Sequence, residues 1–201
     1  MNESTNTNRL LLCTDLDRTL LPNGSEPESP QARNKFRQLA GHPEVTLCYV
    51  TGRHQQLVEQ AIEEYQLPQP DYVIADVGST IYEITKRDWH YQENWEKLIN
   101  NDWQGKSANE LHRLFAGIQQ IKLQEVSKQN THKLSYYLPI ASDEKKIIAD
   151  MQQKLQQQSI AANFIYSVDQ QADTGLLDVL PASAGTRQAN EFLMQQLGFD
   201  Y

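Results

Sequence analysis

The hydrophobic residues in the first half of the chain alternate between short continuous runs and helically spaced sets. The run Leu10–Cys13 has no helical spacing and is typical of a strand buried in a parallel sheet. The runs Val45–Val50 and Tyr72–Ala75 have the same character. Helical spacing of apolar residues separates these runs at 31–40 and at 57–62. This alternation of strand and helix predicts an α/β core with a Rossmann-like parallel sheet.

The pattern changes in the middle of the chain. Between residues 84 and 180, two helical stretches come first, and strand-like segments then alternate with one further helix. This order predicts an α+β unit inserted into the core. We therefore divide the chain into a first core part at 1–83, an α+β cap at 84–180, and a core return segment at 181–201 that leaves the core incomplete.

Three tryptophans fall in the predicted cap, at Trp89, Trp95 and Trp103. Aromatic rings build the cores of small units, and they also stack on sugars. We expect these three to pack in a core, and sugar stacking is the alternative.

Polar residues follow the first two predicted strands. Asp15 and Asp17 come after the first strand with one residue between them, so an extended backbone points both carboxylates to the same side. Two carboxylates that close repel each other, which calls for a cation or a held proton. Thr51 and Gly52 follow the second strand just before a helix, where an anion can bind. The alternatives are that the two acids cap a turn and that Thr51 is an ordinary N-cap.

The composition of the chain limits the kinds of partner that the protein is expected to bind. The chain has 201 residues and a net charge of −8, and its scattered basic residues exclude the basic stripe of a nucleic-acid-binding protein. No apolar run approaches membrane-spanning length, and the polar N-terminus lacks the apolar segment of a signal peptide. We therefore expect neither nucleic acid nor a membrane as partner. Cys13 and Cys48 both lie in apolar runs, which favours reduced core thiols and a cytoplasmic protein.

The segment D-L-D-R-T-L after the first strand resembles the first motif of the haloacid dehalogenase superfamily, whose members are mostly magnesium-dependent phosphatases. V-T-G-R and V-G-S-T-I-Y follow the next two strands, and the set is similar to the sucrose-phosphate phosphatase branch. The resemblance implies that Asp15 is a nucleophile that forms an aspartyl-phosphate and that Asp17 is the general acid and base. It also implies that Asp15 and the backbone carbonyl of Asp17 bind Mg²⁺.

The resemblance also assigns phosphate and substrate contacts. Thr51 and the amide of Gly52 are expected to bind the phosphoryl group. Arg53 is expected to contact phosphate or sugar, with a plain surface position as the alternative. Ser79, in the V-G-S-T segment, is a further candidate for substrate binding.

Two more matches lie toward the end of the predicted cap. H-K-L-S-Y-Y resembles a cap strand of the sucrose-phosphate phosphatases in which the lysine faces the active site, so Lys133 is the candidate there. A solvated strand lysine is the alternative. Asp178, in L-D-V-L-P, is similar to a family aspartate at the return to the core and is a second candidate for substrate binding.

The chain departs from the family pattern at two places. Where the family has a lysine after L-D-x-L-P, this chain has Thr186, followed by Arg187. A lysine there neutralises the nucleophile against phosphate. Thr186 and Arg187 are the phosphate-binding candidates at this place, and Arg187 could supply the cation, although its planar head is not equivalent to a lysine. The fourth motif, G-D-x-x-N-D, whose acids complete the magnesium shell, does not follow. We therefore expect a fragment or a degenerate relative, and we expect the 201 residues alone to be inactive.

The residues and the resemblance together predict magnesium-dependent hydrolysis of a sugar phosphate, with sucrose 6-phosphate as the expected substrate. Mannosyl-phosphoglycerate and trehalose phosphate are alternatives, because cap contacts decide the substrate. A catalytically inactive sugar-phosphate binding module is the rival from a different class. Besides the small-molecule sugar phosphate, sucrose-phosphate synthase is a candidate partner.

Overall fold

The computed structural model of the protein describes residues 9–23, 28–170 and 172–199. The Pro, Gly, Ser and Asn residues at 22–30 predict a loop, and part of that loop lies outside the described residues, as does the polar N-terminal segment. None of the described helices is both long and apolar enough to cross a membrane. The helices and strands are β1 Leu10–Thr14, α1 Ala32–Ala40, β2 Val45–Val50, α2 Gln55–Glu64, β3 Tyr72–Ala75, β4 Thr80–Thr85, β5 Asp88–Tyr91, α3 Glu93–Asn100, α4 Ala108–Leu114, β6 Lys122–Leu123, β7 Leu134–Pro139, α5 Glu144–Gln156, β8 Ala162–Asp169, β9 Thr174–Pro181 and α6 Thr186–Leu197.

The chain forms two compact units, which we call the first and the second unit. The first unit comprises the residues up to 92 together with those from 186 onward, and the second comprises Glu93–Gly185. Residues 84–91, which we grouped with the insert, instead belong to the β4–β5 hairpin of the first unit. The rings of Tyr82 and Trp89 explain this placement, because they meet edge to face at 5.3 Å and pack against the core of the first unit.

A five-stranded sheet in the order β1-β2-β3-β4-β5 organises the first unit. β1, β2 and β3 run parallel, and β4 and β5 extend the sheet in antiparallel pairs. The parallel part confirms the predicted α/β class. Because the carboxyl ends of parallel strands meet at one edge of a sheet, the residues that follow β1, β2 and β3 come together there.

β1 does not have the burial that its apolar sequence predicts. Within the described residues it pairs with β2 alone, so it forms an edge of the sheet. Leu10 is 48% exposed, and Cys13 is exposed as well. The expectation of two core thiols is therefore correct for Cys48, which lies beside Cys13 in the register of the two strands, and wrong for Cys13. A run of apolar residues identifies a strand, but it does not reveal how many neighbours the strand has.

The second unit has the predicted α+β composition. Its four-stranded antiparallel sheet has the order β6-β7-β9-β8, and helices α4 and α5 contribute to the core that packs against it. Trp95 and Trp103 of this unit are 2% and 0% exposed. Their burial confirms core packing and makes the sugar-stacking alternative wrong for these two residues.

Candidate active site

Asp15 and Asp17 lie on a tight turn that begins where β1 ends. The carbonyl of Leu16, between the two acids, accepts the N–H groups of Leu20 and Leu21 at 3.0 and 2.8 Å. The Leu16 side chain is fully buried and anchors this turn in the core of the first unit. The two carboxylates therefore stand where β1 passes into a closed turn, and their pointing to the same side stays a prediction.

The Asp15 carboxylate is held by groups of its own turn. It accepts the N–H of Leu16 at 2.7 Å through Oδ1 and the hydroxyl of Thr19 at 3.5 Å through Oδ2. Burial raises the pKa of Asp15, and the nearby charge of Asp17 raises it further. Among the described residues, no lysine or arginine forms an ion pair with Asp15. Within the described part of the chain, the charge of Asp15 is therefore not neutralised by an ion pair with another side chain.

The Asp17 carboxylate is held by two other segments of the first unit. Arg53 donates from Nε to Oδ2 at 2.9 Å and from Nη2 to Oδ1 at 2.7 Å, in a two-pronged contact. The side-chain amide of Asn23 also donates to Oδ1, at 2.6 Å. The hydrogen bonds from Arg53 are the main reason that the pKa of Asp17 lies below its ordinary value, and the bond from Asn23 acts in the same direction. In this structure Arg53 thus binds a carboxylate of the protein.

Thr51 and Gly52 lie on the loop that joins β2 to α2. The Thr51 side chain is buried, and its hydroxyl accepts the N–H of Arg53 at 3.2 Å. A 3₁₀ turn at Asp76–Gly78 holds the loop, because the N–H groups of Asp76 and Val77 donate to the carbonyls of Arg53 and Thr51 at 3.0 and 3.2 Å. All three residues of that turn have positive φ, which is strained for Val77 at 61°. The β2–α2 loop is thus supported by a strained turn that follows β3.

One cleft of the first unit brings several predicted residues together. It has a volume of about 750 Å³, and its lining includes Asp15, Thr51, Gly52, Thr186 and Arg187. Its walls come from the ends of β1 and β2 and from α6, so the Asp15 carboxylate, the β2–α2 loop and the start of a helix share one cavity. Among the described residues that line the cleft, none is a lysine.

Arg187 lies at the cleft without directing its charge to Asp15. Its side chain is 85% exposed, and its Nε donates to Glu191 at 2.9 Å one helical turn further along α6. Thr186, the first residue of α6, carries no charge. The charge of Arg187 is therefore directed to Glu191 in this arrangement, and its replacement of the lysine that the resemblance implies stays a prediction.

Ser79 belongs to the first unit, but its hydroxyl is used inside the protein. The side chain is 1% exposed and donates to the carbonyl of Asp76 at 3.0 Å. This contact stabilises the turn beneath the β2–α2 loop. A direct contact of Ser79 with substrate stays a prediction.

Lys133 and Asp178 belong to the second unit. Lys133 is 4% exposed, so the alternative of a solvated strand lysine is wrong. Asp178 on β9 lies opposite Ser135 on β7, whose hydroxyl contacts its Oδ1 at 2.5 Å. Gln129 accepts the N–H of Ser135 and donates to its carbonyl, which fixes the start of β7. Ser135, Asp178 and Gln129 thus form a hydrogen-bonded polar group, and Lys133 directly precedes β7, on which Ser135 lies.

Sequence analysis missed Asn23 and Ser135. Asn23 stands in a segment rich in Pro, Gly and Ser, where asparagine is a common turn residue, so nothing in the pattern separates a functional role from a turn. Ser135 lies in the H-K-L-S-Y-Y segment, in which Lys133 was the only candidate. Its period-two spacing from Lys133 was the available signal, because alternate strand residues share a face.

The oxygen donors around the turn suit Mg²⁺ in type but are few in number. Asp15 offers one carboxylate, and the carbonyl of Asp17 could add a second ligand. Within the described part of the chain, no group of three or more His, Cys, Asp or Glu residues is placed to hold a metal ion. The described residues thus fit Mg²⁺ only as part of a shell that phosphate, water or other residues complete.

Comparison with known proteins first defines the class. The chain is similar to the X-ray structure of the sucrose-phosphatase from Synechocystis sp. PCC6803 in complex with sucrose and phosphate, with a TM-score of 0.77 and 25% identity over 96% of this chain and 72% of that chain. A HAD-like hydrolase of Nitrosococcus oceani is 52% identical over 192 residues, which are 96% of this chain and 52% of that protein. The fold is thus that of the haloacid dehalogenase-like hydrolases.

The particular family follows from the whole sequence. The family model of sucrose-6F-phosphate phosphohydrolase matches residues 8–201, so the chain belongs to that family. Sucrose-phosphatase 2 of Nicotiana tabacum is 27% identical over 199 residues, which are 98% of this chain and 44% of that protein. The chain thus spans about half the length of the curated relatives it matches. The predicted resemblance to this branch is confirmed.

Proposed function

We propose that the protein hydrolyses a sugar phosphate monoester in a magnesium-dependent reaction, with sucrose 6-phosphate as its substrate. The observation that carries this proposal is the cleft in which the Asp15 carboxylate lies beside Thr51 and Gly52. A phosphate bound at the loop has a nucleophilic oxygen next to it. Membership of the sucrose-6F-phosphate phosphohydrolase family supports the choice of substrate.

Asp15 is the proposed nucleophile. One of its oxygens attacks phosphorus while the bond between phosphorus and the sugar oxygen breaks, which leaves an aspartyl-phosphate. Water then attacks phosphorus, and the products are inorganic phosphate and the regenerated carboxylate. The hydrogen bonds from Leu16 and Thr19 hold the Asp15 carboxylate in one orientation for this attack.

Asp17 is the proposed general acid and base. In the first step its proton goes to the departing sugar oxygen, and in the second it takes a proton from the attacking water. The contact with Arg53 favours the carboxylate form that the second step needs. For the first step, we propose that the incoming phosphate attracts Arg53 and repels the Asp17 carboxylate, and both effects return a proton to Asp17.

Thr51, Gly52 and the start of α6 at Thr186 are the proposed phosphate contacts, with Arg187 beside them. Asp15 and the carbonyl of Asp17 would hold Mg²⁺, which supplies positive charge against the phosphate when bound. The polar group at Lys133 and Asp178, together with Arg53 and Ser79, is the proposed set of substrate contacts. By family resemblance alone, we further propose a cytoplasmic location and sucrose-phosphate synthase as a partner.

A catalytically inactive sugar-phosphate binding module is the second candidate. The specific observation in its favour is the start of α6, where Thr186 carries no charge and Arg187 is paired with Glu191. Without a cation beside Asp15, the transition state loses electrostatic stabilisation. Binding of the substrate depends less on that charge, because the β2–α2 loop offers backbone N–H groups.

Phosphate release separates the two candidates. The test uses the full-length protein, because the 201 residues alone are expected to be inactive. It measures inorganic phosphate from sucrose 6-phosphate, trehalose 6-phosphate and mannosyl-phosphoglycerate in the presence of Mg²⁺, with calorimetric titration of the same compounds. Turnover that is highest with sucrose 6-phosphate and absent in Asp15→Asn supports the enzyme. Tight binding of a sugar phosphate without release of phosphate supports the binding module and contradicts the hydrolase.

A further inference from the structure

Two side chains of different length, those of Asn23 and Arg53, donate hydrogen bonds to the Asp17 carboxylate. Asn23 donates to Oδ1 at 2.6 Å, while Arg53 donates to both oxygens at 2.7 and 2.9 Å. Asn23 lies just after the turn that carries Asp17, six positions along the chain, whereas Arg53 follows β2 on a different loop. Arg53 has a long side chain and a charge that phosphate attracts, so its contact with Asp17 can be exchanged for one with a ligand. Asn23 has neither property.

Asn23 is itself fixed in place. Its Oδ1 accepts the N–H of Arg18 at 2.7 Å, and Arg18 adopts the left-handed conformation with φ of 58°. The side-chain amide therefore bridges the backbone of the turn and the carboxylate of Asp17. Its two ends face a donor and an acceptor, so only one orientation of the amide satisfies both neighbours. A short, bridged side chain of this kind keeps its partner in one rotamer.

We propose that Asn23 is a positioning residue of the hydrolytic reaction, which keeps the Asp17 carboxylate in the orientation that transfers a proton to the leaving sugar oxygen. This inference rests on the proposed function, in which Asp17 is the acid and base. When phosphate draws Arg53 away, the bond from Asn23 remains on Oδ1 and the carboxylate keeps its orientation. A purely structural role in closing the turn is the competing explanation.

Substrates with different leaving groups distinguish a positioning role of Asn23 from a purely structural one. A sugar leaves as an alkoxide and needs a proton from Asp17, whereas nitrophenolate leaves without one. We expect Asn23→Ala to lower kcat for sucrose 6-phosphate about tenfold or more, because positioned acid–base catalysis contributes factors of 10² to 10⁴. For nitrophenyl phosphate we expect a change of less than about threefold in the formation of the aspartyl-phosphate, measured as the burst rate.

Asn23→Asp and Asn34→Asp form a matched pair of variants. Asn23→Asp keeps the acceptor for Arg18 but replaces the donor to Asp17 with a negative charge, so we expect a larger loss than in Asn23→Ala. Asn34 lies on α1 and bonds Arg37, away from the turn, so its variant controls for the added charge. Equal losses on both substrates in the Asn23 variants would overturn the proposal while leaving the hydrolase intact. A wild-type protein that releases phosphate from neither substrate would overturn the proposed function and this inference together.

A second measurement does not depend on turnover. The NMR signals of the Asn23 side-chain amide should be shifted and slow to exchange with solvent in the wild type, and should lose both properties in Asp17→Ala. Amide signals that are identical in the wild type and in Asp17→Ala would mean that the bridge does not exist in solution, and would overturn the proposal.

Discussion

The carboxylates of Asp15 and Asp17 lie on the same turn, yet their pKa values are shifted in opposite directions. Burial raises the pKa of Asp15, while the hydrogen bonds from Arg53 lower that of Asp17. Two identical side chains two residues apart thus have different chemistry because one faces a cation and the other does not. This difference suits a division of roles between nucleophile and proton carrier, and the following experiments test it.

The first prediction concerns the nucleophile. Asp15→Asn should abolish phosphate release from sucrose 6-phosphate, because an amide is a poor nucleophile and cannot form the acyl phosphate. The measurement is inorganic phosphate over time, and Asp88→Asn on exposed β5 is the matched control. Near-normal turnover in Asp15→Asn would rule out the proposed nucleophile.

The second prediction concerns the pair of Arg53 and Asp17. Because Arg53 lowers the folded-state pKa of Asp17, the pair stabilises the protein above the ordinary carboxyl value of 3.8, and this contribution is lost as the pH falls through the lower folded-state pKa. Arg53→Ala should reduce the free energy of unfolding at pH 7 by about 0.5 to 1 kcal/mol, since the pair is partly exposed. Urea unfolding at pH 7 and pH 3 measures this. If Arg53→Ala lowered the free energy of unfolding equally at a pH well below the folded-state pKa of Asp17, the loss would come from packing and not from the ion pair.

The third prediction concerns the start of α6. Thr186→Lys should raise kcat about tenfold or more, since a preorganised cation at the cleft stabilises the charge that develops at phosphorus. Arg187→Ala should change kcat by less than about threefold, because Arg187 is exposed and paired with Glu191. Steady-state kinetics on sucrose 6-phosphate measure both. A severe loss in Arg187→Ala with no gain in Thr186→Lys would show that the arginine has taken over the role of the lysine.

The fourth prediction concerns Ser79. Ser79→Ala should lower the free energy of unfolding by about 1 kcal/mol, because a buried hydroxyl loses its hydrogen bond to the Asp76 carbonyl. An unchanged KM would leave the hydrogen bond within the turn as the role of Ser79 and contradict the proposed substrate contact. A raised KM at unchanged stability would instead establish Ser79 as a substrate contact.

The fifth prediction concerns recognition by the second unit. Lys133→Met keeps most of the side-chain stem but removes the charge, and should raise KM for sucrose 6-phosphate about tenfold, because a bond from a charged donor is worth roughly 1.5 kcal/mol or more. KM for nitrophenyl phosphate, which has no sugar, should not change. Lys122→Met at the exposed β6 is the control. Equal effects on both compounds would place Lys133 outside sugar recognition.

Local patterns predicted the regular elements well. The apolar run at 45–50 is β2 with the same bounds, and the helical spacing at 57–62 lies within α2. Such patterns succeed because periodicity reports which side of an element is buried. The exposure of β1 was not predictable in this way, since it depends on which strands pair with it.

The local sequence pattern did not predict which distant residues contact the candidate site residues. Arg53 and Asp17 are 36 positions apart, and their pairing follows from the register of β1 and β2 rather than from either motif. The left-handed turn at Asp76–Gly78 was equally hidden, because Val77 disfavours positive φ and only the surrounding structure imposes it. The motifs thus located the candidate residues, while their partners required the fold.

The exposed thiol of Cys13 makes the edge strand β1 accessible to chemical labelling. Cys13 lies on the rim of the cleft two residues before Asp15, and its hydrogen bond with buried Cys48 lowers its pKa, which makes the thiolate more available. An alkylating reagent should therefore modify Cys13 and spare Cys48. The rate at which Cys13 is modified should therefore fall when a ligand or another protein covers β1 or fills the cleft beside it. Mass spectrometry measures this rate without knowledge of the substrate.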